Sequence, residues 1–254
     1  MYQNTKSVSR MAQERAELSD AHCHLGLFEN PEETVNVSAM HGLKLILTAG
    51  GSTKDNCGAS ALTRFDIVFA VVGIGPDFAL LESGFVDPLR RLIKSNSKII
   101  GIGEVGLDFK ITQDPLELQT QRKVFEEQIV LSKELALPLV VHSRGAFKEV
   151  LELLDKHSAK RVMFHFFEGG EEEAMQAESR GYIISVPPVE TNRRKSAIKG
   201  INLKNIVAET DSPIVGETPA DVKKSLEFIS GIRGIGFNEA AQITTENLRE
   251  FFYI

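Results

Sequence analysis

Residues 101–109 read GIGEVGLDF and continue the apolar pair Ile99 and Ile100. A short β-branched run is a strand signal, and this one ends on a carboxylate, Glu104, followed by glycines that let the backbone turn tightly. The same pattern recurs on both sides. Downstream, LPLVVHSR (137–144) ends an apolar run at His142, RVMFHFF (161–167) ends one at His165 and NIVAETDSP (205–213) ends one at Asp211; upstream, DAHCHLG (20–26) ends one at His22 and His24. With the intervening runs, the sequence predicts strands over Glu17–His22, Leu43–Thr48, Ile67–Val72, Ile99–Glu104, Leu139–His142, Arg161–His165, Tyr182–Val186 and Asn205–Asp211. Helical spacing separates several of them. Phe125, Ile129 and Leu135 fall on one face of Leu116–Ala136, and Val150, Leu151 and Leu154 on one face of Gly145–His157. Closing helices are expected over Ala220–Ser230 and Phe237–Phe252, the second capped by Asn238. Alternation of short strands with helices predicts an α/β fold with a parallel sheet, and eight such strands predict a single-domain TIM (β/α)8-type barrel.

The chain has 254 residues, 42% hydrophobic and 25% charged, which suits one barrel domain over 17–254 that needs no disulfide to hold it. Residues 1–16 form an N-terminal extension, helical or mobile. They mix charges throughout and lack the apolar core of an export signal. Nothing later approaches the run of roughly 18 apolar residues that spans a bilayer. Two widely separated cysteines, Cys23 and Cys57, fit a reducing compartment, so a cytoplasmic protein is expected. A formal charge of −6 argues against broad electrostatic binding to nucleic acid, so any such contact must be local.

A period of two puts His22 and His24 on one side of their strand, while Cys23 points away as a small buried hydrophobe. One histidine at a strand end is unremarkable. Five strand ends that each deliver His, Glu or Asp are what a barrel needs to converge ligands on its C-terminal mouth. His22, His24, Glu104, His142, His165 and Asp211 exceed the needs of one tetrahedral structural zinc, and point to two divalent cations with an open position for water. Glu104 is the expected bridge, and Asp211 could bind metal and accept the water's proton. The nitrogen-rich set favours zinc, manganese, nickel or cobalt over magnesium. His41 and His157 fit helix-end positions and are left out of the site.

The residues at this point resemble the TatD family of metal-dependent deoxyribonucleases. The resemblance runs in order through DAHCHL, GIGEVGLDF, LPLVVHSR, the His165 strand, ETDSP and TTENLREFF, covering Ser19 to Phe252. It implies a TIM barrel, two divalent cations and hydrolysis of DNA phosphodiester bonds. It also implies His22, His24, Glu104 and Asp211 around one metal, and Glu104, His142 and His165 around the other. The chain departs from the family pattern around the mouth. Gly75 stands in GIGPD where the family has a histidine, Phe166 replaces a cysteine and is followed by Phe167 and Glu168, and Ile214 and Val215 follow ETDSP. Glu168 brings negative charge where a phosphate backbone would run.

Arg144, directly after His142, is the candidate phosphate-binding side chain, with a surface ion pair as the alternative. Arg193, Arg194 and Lys195 either rim the mouth or begin a solvated helix. Asp108 could orient a ligand or cap a turn. Glu209, two before Asp211, is expected to point into the barrel and hydrogen-bond behind the ligands. The expected function is metal-dependent hydrolysis of DNA, with Glu104 and Asp211 catalytic; a small phosphoester or amide as substrate is the alternative, and a metal-stabilised protein without catalysis is a third. Oligomeric partners are not legible.

Overall fold

The computed structural model describes residues 16–254, so the expected extension lies, up to Arg15, outside the described residues. Eight parallel strands follow one another around the sheet in chain order: β1 (Leu18–Cys23), β2 (Leu43–Ala49), β3 (Val68–Val72), β4 (Ile99–Gly106), β5 (Leu139–His142), β6 (Val162–Phe164), β7 (Ile183–Val186) and β8 (Ile206–Ala208). The helices are α1 (Pro31–Met40), α2 (Thr53–Leu62), α3 (Val86–Ser95), α4 (Pro115–Leu135), α5 (Phe147–Lys156), α6 (Glu171–Glu178), α7 (Asn192–Gly200), α8 (Val222–Arg233) and α9 (Phe237–Phe252). All eight expected strands are present. The sixth and eighth are shorter than expected: they end at Phe164 and Ala208, and His165 and Glu209 donate one last N–H to β5 and β7 as the chain turns into the mouth loops.

Two hydrophobic layers organise the molecule. Leu139, Val141, Val162, Phe164, Ile184 and Ile206 point outward and pack beneath the helices. Their neighbours Val140, Met163, Ile183 and Val207 point inward, and Phe251 and Phe252 of α9 plug the interior with them. Because strand side chains alternate, stepping two residues from each inward apolar residue gives His142, His165, Ser185 and Glu209. One periodicity therefore stacks a polar layer above an apolar floor.

Local signals start the helices where the sequence supplies them. Asp114 accepts hydrogen bonds from the N–H groups of Leu116 (2.8 Å) and Glu117 (3.2 Å), and Pro115 opens α4. α9 departs from expectation at its cap. It begins after Gly236, which makes no side-chain cap bond, and Asn238 lies inside the first turn. Phe237 packs against the core and so joins the helix ahead of Asn238.

No strand-to-strand ladder joins β8 to β1 among the described residues; the chain just beyond β8 makes the closure instead. The Asp211 N–H donates to the His22 carbonyl (2.9 Å), and the His24 N–H donates to the Ser212 carbonyl (2.7 Å). The buried Asp20 carboxylate accepts from the Thr210 N–H (2.9 Å) and hydroxyl (2.6 Å). On the opposite side, β4 and β5 approach so closely at their ends that a Cβ on Gly106, whose φ is +135°, would sit 2.0 Å from the His142 carbonyl oxygen. Gly106→Ala combines that clash with a backbone conformation that L residues avoid. It is expected to destabilise the fold by about 3 kcal/mol or more, read as a fall in denaturation midpoint; an unchanged midpoint would refute the close-approach account.

Candidate metal centre

The six expected side chains meet at the C-terminal mouth of the barrel, each from the end of its strand. His22 and His24 bring their Nε2 atoms to 3.3 Å of one another. Asp211 Oδ1 lies 3.3 Å from His24 Nε2 and 3.8 Å from His22 Nε2. Glu104 Oε2 completes this group at 3.5 and 3.6 Å from the same two nitrogens. The other oxygen of Glu104 faces a second group: Oε1 lies 2.7 Å from His142 Nδ1 and 2.9 Å from His165 Nε2, and these nitrogens are 3.2 Å apart.

The donor sets fit divalent metal. Four ligands at about 2.1 Å around a tetrahedral ion stand about 3.4 Å apart, close to the spacings of the first group. The second group offers three protein donors and so leaves positions for water or substrate. Buried Nδ1 atoms of His22 and His165 have no hydrogen-bond partner. Their rings stack at 4.0 Å between centroids. One ring nitrogen from each and a Glu209 oxygen lie within 4.8 Å of one another.

Charges in the cluster are strongly coupled. Burial disfavours an ionised Glu104, yet His165, His142 and His22 outweigh it and hold the carboxyl well below its usual range. Burial likewise opposes a charged His142, but hydrogen bonds to Asp108 and Glu104 prevail and raise it to about 10. His22, desolvated and beside His165, is pushed down to about 4. Asp108 is drawn down to about 2, because its hydrogen bonds from His142, Lys110 N–H and Arg144 overcome desolvation. Asp211 and Phe166 adopt φ of +50° and +46°, strained values for residues other than glycine, and both sit where a strand gives way to a mouth loop.

Other expectations divide. Asp108 accepts from His142 Nε2 (2.9 Å) and Arg144 Nε (2.8 Å), so it orients one candidate ligand and anchors the arginine. Arg144 lines the mouth while making the ion pair foreseen as its alternative. Glu209 points inward as expected, fully buried, and accepts from the Phe166 N–H (2.6 Å) and the Ser185 hydroxyl. The basic cluster is a solvated helix start, as its second reading expected, at Arg193 and Lys195 in the first turn of α7, but not at Arg194. Arg194 is buried, donates to the Phe167 (2.9 Å) and Val189 carbonyls and covers the Phe166 ring, while Arg193 pairs with Glu173 and Lys195 with Glu190. His157 pairs with Glu126, and His41 lies beside Lys223, both outside the mouth. Sequence reasoning missed Asp20. Its position two residues before His22 in the same strand was the available signal. Burial raises its carboxyl to about 8 despite hydrogen bonds from Thr210 and the His22 N–H.

The sequence profile of TatD related DNases matches residues 19–253. The chain belongs to the TatD family. Among TatD relatives, the human deoxyribonuclease TATDN3 is 34% identical over 165 residues, covering 61% of this chain and 60% of that protein. The Bacillus subtilis metal-dependent hydrolase YabD, uncharacterised, is 28% identical over 93% of this chain and 99% of its own. The crystal structure of YJJV, a TatD homologue from Escherichia coli, superposes with a TM-score of 0.86 at 22% identity, covering 93% of this chain and 98% of that one. This likeness establishes the barrel fold. No helix among the described residues is long and apolar enough to cross a membrane.

Proposed function

We propose that this chain is a two-metal phosphodiesterase that hydrolyses DNA. One observation carries the reading: the two oxygens of Glu104 face different groups of ligating atoms, the disposition of a carboxylate that bridges two cations. His22, His24 and Asp211 would complete one centre, and His142 and His165 the other. Two divalent cations there supply a water of lowered pKa and a clamp on the phosphoryl oxygens. The imidazole-rich donor set favours zinc, manganese, nickel or cobalt over magnesium.

The remaining work falls to the protein. Asp211, held ionised chiefly by hydrogen bonding with His24 against its burial, accepts the proton of the attacking water. Asp108 occupies the Nε of Arg144, which turns the other guanidinium N–H groups to a phosphate oxygen. Glu209 lies within 4.8 Å of a ring nitrogen of both His22 and His165, while its own hydrogen bonds, from the Phe166 N–H and the Ser185 hydroxyl, hold the loop after β6 against the site. The TATDN3 and YabD relatives support hydrolysis, and TATDN3 supports DNA as the substrate.

Metal-reconstituted protein screened against DNA, RNA and small phosphodiesters tests the proposal. Turnover of DNA that Asp211→Asn lowers by at least about a hundredfold is the expected result; turnover of none of the three substrates would overturn it. Metal binding carries its own prediction. His142 is protonated at neutral pH when no metal is bound, so a cation must displace its proton. Affinity should therefore tighten as pH rises from 6 toward 9, by roughly tenfold per unit for each proton released. Calorimetry in two buffers of different ionisation enthalpy measures that release; metal uptake without it would remove His142 from the ligand set.

A further inference from the structure

The cavity above the candidate centre, about 420 Å³, is asymmetric in charge. Arg144 is its one Lys or Arg side chain among the described residues, and Asp108 already pairs with that arginine. Besides Asp108, three further carboxylates outside the ligating groups line the same cavity: Asp55 at the start of α2, Asp77 after β3 and Glu168 after β6. No lysine or arginine among the described residues lies within ion-pair distance of any of them, and Asp55 is held only by the Ser52 hydroxyl (2.6 Å). Arg193, the cation attached to the Glu168 loop, touches the Glu168 carbonyl and directs its charge to Glu173. Aliphatic side chains share the exposed wall with these acids, with Leu27 57% and Ile214 63% accessible.

A nucleic acid strand brings one negative charge about every 3.4 Å, so phosphates beyond the scissile one reach these carboxylates. Like charges in a cleft with low-dielectric walls repel, and cations at the ligating groups would leave these outer carboxylates without a lysine or arginine partner among the described residues. Resting on the phosphodiesterase reading above, we infer that Asp77 and Glu168 are specificity-determining residues that restrict this site to short phosphodiesters. The favoured substrate has one scissile phosphate near Arg144 and apolar or aromatic groups against Leu27 and Ile214, so that short DNA fragments are cut ahead of long strands.

The test compares metal-loaded wild type with the double variant Asp77→Asn, Glu168→Gln. The substrates are thymidine 5′-(4-nitrophenyl phosphate) and a long single-stranded oligonucleotide. Both side chains are exposed, and circular dichroism checks the fold of the variant. Neutralisation is expected to raise kcat/KM on the oligonucleotide by roughly tenfold and to leave the small diester within about twofold. Wild-type turnover of the oligonucleotide should also rise with added salt, because screening weakens repulsion, the reverse of a basic nuclease. Turnover of both substrates with their ratio unmoved by the double substitution overturns this inference alone. Turnover of neither substrate overturns the phosphodiesterase reading, and this inference with it.

Discussion

Glu104→Ala is expected to cost the protein both bound cations and to lower kcat/KM by at least about a thousandfold. The size follows from position. Its two oxygens lie within 3.6 Å of all four site imidazoles, so one truncation removes a ligand from each group at once. Transition-state stabilisation by metal amounts to several kcal/mol, and each 1.36 kcal/mol is about tenfold in rate. In the metal-free protein the same truncation strips His142 of one of the two carboxylates that hold it charged. Metal content by mass spectrometry and kcat/KM on a small diester are the measurements. Two equivalents of tightly bound metal in the variant would remove Glu104 from the bridge.

Asp211→Asn removes the proton acceptor and at the same time weakens one ligand of the first group. Asparagine has nearly the same shape, tolerates the left-handed backbone at this position and keeps the N–H bond to His22. The fold should survive. What disappears is a basic carboxylate beside His24, and a positioned general base contributes roughly 10² to 10⁴-fold. We expect kcat to fall within that range, with metal retained at Glu104, His142 and His165. A kcat within a few-fold of wild type, with full metal occupancy, would exclude Asp211 as the proton acceptor.

Strand ends and their polar residues were legible because a parallel barrel writes each strand as a short apolar run, and the mouth residue comes last. Alternation carried further: two steps from Val140, Met163 and Val207 lead to His142, His165 and Glu209. Charge partners were not legible. Arg194 sits in a basic run that reads as solvated, yet carbonyls of the loops at residues 167 and 189 draw it inside, contacts that exist only after folding. Asp20 escaped notice for a related reason. A buried carboxylate has meaning only beside Thr210, 190 residues away, and no local spacing announces that pairing.

The seam between first and last strands gives the two halves of the centre different histories. A ribosome that has released residue 165 has already supplied Glu104, His142 and His165, all on neighbouring or next-neighbouring strands. The other trio joins His22 to Asp211 and comes together only when the chain's ends meet. A cation seated there would act as a clasp between the first and last strands, its capture marking that the circle has shut.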